Sequence, residues 1–375
     1  MNKILSLIIP TYNMEKYLDK CLTSLIIKDV ELMQQLEVLV VIDGATDRSS
    51  DIAHTYMSRF PNIYKVIDKE NGNYGSCINR GLKEASGKYI KVLDADDWFD
   101  TSVFQTYLKR LLEVDVDLVL NDMHTVCIDE QGYMLYNITS FFEENKTYPF
   151  EEIFKVDISR YIAMHCLAYR RENLIAMGYQ QTEGISYTDI EWNFHPMTTV
   201  KTFTCISGLL YQYLLGRQGQ TMDPAVANKQ SDQLAKMLLS LVKRRSVYHK
   251  NDVYDKFMRI LMESNNYTLY SRSYDENIKK GIIIPYEKCV KEISPVIFNE
   301  MYEWSCSFDS SIRYVALFRN PWSCVMQELL YHGYRTFIKL LDYCTIKKLL
   351  HPMWIVRCFY LLKNFVAKKI NNNIV

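Results

Sequence analysis

The segment Lys88-Tyr89-Ile90-Lys91-Val92-Leu93-Asp94-Ala95-Asp96-Asp97-Trp98 runs from a short apolar stretch straight into three carboxylates. Tyr89–Leu93 has the length and composition of a buried strand. Asp94, Asp96 and Asp97 then crowd the point where the chain leaves the sheet. Carboxylates this close repel one another unless a cation or hydrogen-bond donors offset them. In an open α/β sheet, ligands bind beyond the carboxyl ends of the strands. A hard divalent cation carrying a diphosphate suits such a place. A solvated acidic turn that caps the following helix fits the same residues.

Strands and helices alternate on both sides of this segment. The apolar runs Leu5–Ile9, Glu37–Ile42, Ile63–Asp68, Tyr89–Leu93 and Asp117–Leu120 read as strands. Met14–Leu25, Ser50–Arg59, Tyr74–Ala85 and Ser102–Leu112 read as helices. Short polar turns between them imply a mainly parallel sheet with helices on both faces. Residues 121–222 carry no clear period. From about Lys229 the spacing becomes helical, in Asp232–Tyr248 and Asp252–Tyr270. A boundary falls near residue 225.

The chain has 375 residues, with 44 basic and 44 acidic side chains and no net charge. A nucleic-acid partner held by bulk charge is excluded. The 10 cysteines form no CxxC pair or metal-type spacing, as for free thiols in a reducing compartment. The apolar run at the N-terminus is short and ends at Pro10, which reads as a first strand and not a signal peptide. No uncharged run reaches the length of a spanning helix. The expected location is cytoplasmic. Residues 321–375 carry eight Lys/Arg against Glu328 and Asp342, interleaved with Trp354, Phe359 and Phe365. Such a basic aromatic helix suits the inner face of an anionic membrane, and equally a helix packed on the main domain.

Strand ends carry the remaining polar motifs. Asp43-Gly44 can accept hydrogen bonds from a base or ribose while Gly44 permits a tight turn. Asp47 suits the N-cap of the next helix. Gly72-Asn73-Tyr74-Gly75 opens a helix whose backbone N–H groups, Asn73 among them, can meet donor groups.

In chain order, Pro10-Thr-Tyr-Asn13, Asp43-Gly-Ala-Thr-Asp47, Asn71-Gly-Asn-Tyr-Gly-Ser-Cys-Ile-Asn-Arg-Gly81 and Asp94-Ala-Asp-Asp97 resemble the inverting family 2 glycosyltransferases of bacterial polysaccharide synthesis. The resemblance implies a GT-A (Rossmann-like) nucleotide-sugar domain over 1–225 and a helical C-terminal region over 226–375. Thr11 and Asn13 would line the nucleotide pocket, Asp43 would bind the base and Asp94 the ribose or sugar. Asp96 would hold Mn2+ or Mg2+ on the diphosphate, with Asp97 beside it. The donor would be a nucleotide sugar, taken as a UDP-sugar. The acceptor would be a glycan or a lipid-linked intermediate, for a polysaccharide or cell-envelope glycan. Ile42 and Ile78 replace polar residues common in relatives at those places.

Inversion needs a base for the acceptor hydroxyl. The family's downstream acidic pair aligns with Thr188-Asp189, so Asp189 is the candidate base and Glu191 the runner-up. Arg217 suits a phosphate as a forked donor, in a segment with Gln220 and Thr221. His165 could face the acceptor groove. Two other readings are a nucleotidyltransferase, which lacks its Gly-rich basic loop here, and a non-catalytic donor-binding or scaffold protein of the same fold.

Overall fold

The computed structural model describes residues 3–127, 135–144, 146–155, 162–217, 230–247, 252–273 and 275–305, with Val315, Phe318 and Arg319. In chain order the elements are β1 (Leu5–Thr11), α1 (Leu18–Thr23), α2 (Val30–Met33), β2 (Leu36–Asp43), α3 (Ser49–Arg59), β3 (Tyr64–Lys69), α4 (Asn73–Glu84), β4 (Tyr89–Val92), β5 (Trp98–Phe99), α5 (Thr101–Leu111) and β6 (Leu118–Cys127). There follow β7 (Leu135–Tyr136), β8 (Tyr148–Pro149), β9 (Leu167–Arg170), α6 (Arg171–Ala176), α7 (Asp189–Phe194) and β10 (Thr202–Leu215). Helices Ser231–Val247, Asp252–Tyr270, Ile284–Ile293 and Pro295–Ser305 close the described chain.

The strands form one sheet in the order β3-β2-β1-β4-β9-β6-β10-β5. β3, β2, β1 and β4 run parallel, and β6 pairs β10 in parallel over the longest register. The short pairings of β9 with β4 and β6, and of β5 with β10, are antiparallel. The expected α/β architecture with a mainly parallel sheet therefore holds, with a mixed far side. β1 is buried at every position, as a strand covered by helices on both faces requires.

Chain order fixes where a ligand can go. After β1 the chain winds outward through β2 and β3. It then returns to add β4 on the other side of β1. Helices that follow strands on either side of this reversal diverge and leave a crevice at the carboxyl ends of β1, β2 and β4. Thr11, Asp43 and Asp94 sit at those ends.

Residues 1–304 form one compact unit, which includes the helices from Ser231 to Trp304, and 305–375 form another. The basic aromatic segment 321–375 lies outside the described residues, as do Gln220 and Thr221. No helix among the described residues is long and apolar enough to cross a membrane. The described cysteines, such as Cys21, Cys77 and Cys166, are free thiols.

Gly75 on α4 is needed for a close approach. A Cβ there would fall on the backbone carbonyl of Thr182. Asn79, one turn on, clamps the same loop. Its Nδ2 donates to Gln181 O at 2.9 Å and its Oδ1 accepts from Gln181 N at 2.8 Å. Backbone cannot yield as a side-chain tip can. Gly75→Ala is therefore expected to destabilise the protein by about 1–3 kcal/mol, the range for overpacking. Thermal denaturation checks it: a Tm equal to that of the parent would show that the loop yields freely.

Candidate active site

A cleft of about 420 Å3 opens at the reversal point, lined by Thr11, Tyr12, Asp43, Asn73, Tyr74, Asp94, Asp96, Tyr213 and Arg217 among others. A larger cleft of about 760 Å3 lies against the outer side of α4 and α6. It contains none of the clustered acids, so the chemistry belongs to the smaller one.

Asp43, 3% exposed, organises the cleft's floor. Its Oδ1 accepts from Gly72 N at 2.9 Å and from Lys69 Nζ at 2.5 Å, and its Oδ2 accepts from Asn73 N at 2.9 Å. Asn71 Nδ2 donates to its backbone carbonyl. The carboxylate thus caps α4 from a neighbouring strand and satisfies N–H groups that the helix itself leaves open. This corrects the expectation that the Gly72–Gly75 turn offers its N–H groups to a ligand, because Gly72 and Asn73 spend theirs on Asp43. Tyr74 N has a 3.2 Å contact to Asn73 Oδ1. The Cys77 thiol also bonds the Asp43 carboxylate, which lines the cleft.

Thr11 turns its hydroxyl back to Ile9 O at 3.1 Å. Asn13 does not line the cleft. It sits at φ +54 and accepts Thr46 N–H at 2.9 Å, tying the loop after β1 to the loop after β2. Asn73, at φ +71, does line it. Tyr12 is 49% exposed there, an aromatic face that sequence reasoning passed over although it lies inside the Pro10–Asn13 motif.

The acids after β4 form the cleft's back wall. They do not cap the next helix: Asp100 does, accepting from Ser102 N and Val103 N. Asp94 Oδ1 accepts from Tyr74 Oη at 2.7 Å, and Asp94 Oδ2 lies 3.7 Å from His165 Nε2. Asp96 is paired with the Arg217 guanidinium. Asp97 accepts from Tyr211 Oη at 2.7 Å and from Leu214 N at 2.8 Å. Burial first, and then the neighbouring Asp94, raises the pKa of Asp96; burial, Asp96 and Asp94 raise that of Asp97 well above the carboxylate range. Three acids that share one guanidinium, with neutral donors besides, remain short of positive charge.

Asp94, Asp97 and His165 each offer a ligand atom, all within 4.8 Å of one another. His165 stacks its ring near Tyr211 and Tyr213, each at 4.7 Å. Its Nδ1 is buried without a partner among the described residues. Two carboxylates and an imidazole fit a divalent cation, Mn2+ better than Mg2+ because of the nitrogen donor. Asp96, the expected ligand, adjoins this set and carries Arg217.

Asp189 begins α7. Burial raises its pKa, with the His165 charge opposing and Asp94 adding to the rise. Glu191 faces away. Fully buried, it accepts from Thr182 N and Thr182 Oγ1, each at 2.7 Å, and from Ser240 Oγ. Every lone-pair direction it needs is used to hold loop 181–183 and the helix Ser231–Val247, so the runner-up base is a structural anchor. Trp192 is fully buried between Tyr169 and Tyr179.

Residues 6–178 match the family described as Glycosyl transferase family 2. The chain is similar to Glycosyltransferase GlyA of Streptococcus pneumoniae, 30% identical over 40% of this chain and 21% of the relative. It is also similar to the Minor teichoic acid biosynthesis protein GgaB of Bacillus subtilis, 35% identical over 28% of this chain and 11% of the relative. The chain spans less than a quarter of the length of either. Among solved structures it resembles S. aureus TarS 1-349, with a TM-score of 0.61 at 17% identity over 88% of this chain and 92% of that one. It also resembles the same protein in complex with UDP-GlcNAc, with a TM-score of 0.54 at 19% identity over 77% and 80%. These likenesses establish the fold.

Asp43→Asn keeps the shape but removes the charge that Lys69 and two N–H groups share. It is expected to cost about 2–3 kcal/mol of stability, in the range of hydrogen bonds to a charged group. Denaturant unfolding without any ligand checks this. An unchanged midpoint would mean that Asp43 acts only on a ligand.

Proposed function

We propose that the protein is a metal-dependent, inverting glycosyltransferase that moves a sugar from a nucleoside-diphosphate sugar to a hydroxyl acceptor during cell-envelope or polysaccharide synthesis. The carrying observation is the convergence of Asp94, Asp96, Asp97, His165 and Arg217 at the cleft where the strand order reverses, in a chain with a glycosyl transferase family 2 domain.

In this reading Tyr12 gives the base a flat face and Asp43 meets it from the cleft floor. Asn73 and Asp94 meet the ribose or the sugar, and Asn13 acts indirectly by bracing the two loops that frame the pocket. Asp94, Asp97 and His165 would hold the cation, with Asp96 as a further oxygen donor. A bound cation would neutralise charge that builds on the departing diphosphate. Arg217, a forked donor beside Asp96, would give the diphosphate a second positive partner. Asp189 takes the proton of the acceptor hydroxyl as that oxygen bonds to the anomeric carbon. The bond from that carbon to the diphosphate oxygen breaks with its electron pair on the leaving group, and configuration inverts.

The UDP-GlcNAc bound to the TarS neighbour supports a UDP-sugar as donor, and the name of GgaB supports an envelope glycan as product. Residues 1–225 would supply donor site and base. Residues 226–375 would support the acceptor side, with the basic tail from 321 meeting an anionic membrane surface from the cytoplasm. A non-catalytic donor-binding role is the second reading, favoured by Thr188 in place of the first acid of the downstream pair and by Ile78 in place of the usual Arg.

The test is binding and slow hydrolysis of a panel of nucleotide sugars, UDP-GlcNAc included, with Mn2+, Mg2+ or EDTA. One donor bound and cleaved with metal, and lost with EDTA, is the expected result. Binding without turnover on any acceptor would favour the second reading. Asp189→Asn is expected to keep donor binding and lose about 10²–10⁴-fold in turnover, the worth of a general base.

A raised pKa leaves Asp189 protonated at pH values where an ordinary aspartate is ionised. Base function is therefore present above that raised pKa and fades as pH falls through it. The acid limb of kcat/KM is expected above the ordinary Asp value of about 4. A limb at or below it would remove Asp189 from the role.

A further inference from the structure

Lys91 is the one lysine on β4, with 0% exposure, and it points into the interior directly beneath the acid cluster. No carboxylate among the described residues forms an ion pair with it. Its Nζ donates to Asn121 Oδ1 at 2.7 Å and to the backbone carbonyl of His165 at 2.7 Å, with a longer contact to Leu167 O at 3.4 Å. Asn121 in turn holds the same His165 carbonyl through Nδ2 at 3.3 Å. The His165 backbone is therefore gripped by side chains of β4 and β6, the strands on either side of β9.

Above that carbonyl the imidazole reaches Asp94 and packs between Tyr211 and Tyr213. His165 lies in a one-turn 3-10 segment, Met164–Cys166, which has few hydrogen bonds of its own to fix it. A buried cation with no counter-charge is costly, and a packed apolar side chain of similar volume is commonly as stable or more so. Packing alone does not explain a lysine here. Its grip also survives titration: an ammonium has three N–H donors and an amine two, enough for the two short bonds in either state.

We propose that Lys91 is a positioning residue that fixes the His165 imidazole against Asp94 and Asp97 by holding the His165 carbonyl from the sheet interior. The proposal rests on the acid cluster being the reacting site, but its first test does not.

That test uses the full chain labelled with ¹³C and ¹⁵N at histidine, with the His165 ring signals assigned from His165→Asn. Lys91→Met is expected to shift those signals while the His54 and His124 signals stay in place and Tm holds or rises. Unmoved His165 signals in Lys91→Met would overturn the proposal. Should that variant fail to fold, Asn121→Ala, which loosens the same carbonyl, is expected to move the same signals, and unmoved signals there overturn it equally. The second test is turnover of the donor identified in the panel. Lys91→Met should lower kcat by about 10–100-fold, as loss of a residue that orients a ligand does, with donor KM little changed. The loss should vanish in a His165→Asn background. An equal loss in that background would overturn the proposal. If the parent turns over no donor, the glycosyl-transfer reading fails, while the histidine signals still decide on Lys91.

Discussion

One buried carboxylate ties the two halves of the site together. Asp43 ends β2, yet its oxygens hold the backbone that begins α4, 29 and 30 residues further on. α4 then presses Gly75 and Asn79 against loop 181–183. That loop hands its Thr182 N–H and hydroxyl to Glu191, and Glu191 sets α7. Asp189 is the first residue of α7. The pocket expected to read a nucleotide and the acid expected to take a proton are thus joined through direct contacts. Loss of charge at Asp43 strikes a cap, a buried ion pair and the aim of α7 together, so its cost should exceed that of any one bond.

Electrostatics gives the acid cluster its direction. Burial and the neighbouring carboxylates disfavour the ionised forms of Asp96 and Asp97. The fold spreads the strain by assigning each a different partner: Tyr74 to Asp94, Arg217 to Asp96, Tyr211 and a backbone N–H to Asp97. Tyr211 does double duty, because its oxygen also accepts the Asp94 N–H at 3.1 Å. β10 supplies Tyr211, Tyr213 and the Leu214 N–H, and Arg217 follows it. A strand that pairs with β6 and β5 on the far side of the sheet therefore finishes a site begun by β1, β2 and β4.

The N-terminal half was legible because its signals are local. β1 to β4 are short apolar runs, and their polar ends are a few residues long and lie in chain order. Asp43, Asp94 and Asp96 could be picked from those ends alone. β10 was not legible. Its register against β6 shifts on both sides of Leu209, next to Gly208 at φ +116, so the side-chain alternation that marks a strand is broken. β9 is four residues long and antiparallel to both neighbours, with no pattern of its own. Asn13 and Glu191 show the other limit. The family resemblance marked both as candidates, but only three-dimensional bonding reveals that Asn13 braces loops and that Glu191 is engaged. Lys91 sat in the most informative segment and still drew no notice, because a lysine in an apolar strand reads as an edge or an exposed face.

Asp189 and Glu191 show how much a short helix can decide. Each residue of an α-helix turns the side chain by about 100°, so positions two apart point about 200° from each other. Only one of the two can face the cleft. Glu191 is fixed toward Thr182 and Ser240, in a site where a carboxylate is fully hydrogen-bonded and inaccessible. Asp189 then has to face the opposite way, toward His165 and Asp94, whose charges bear on its proton affinity in opposing senses. The acid that looks better anchored is for that reason the worse base. In the proposed reading, Asp189, left with a raised pKa and few fixed donors, is the acid that would accept a proton from an incoming hydroxyl.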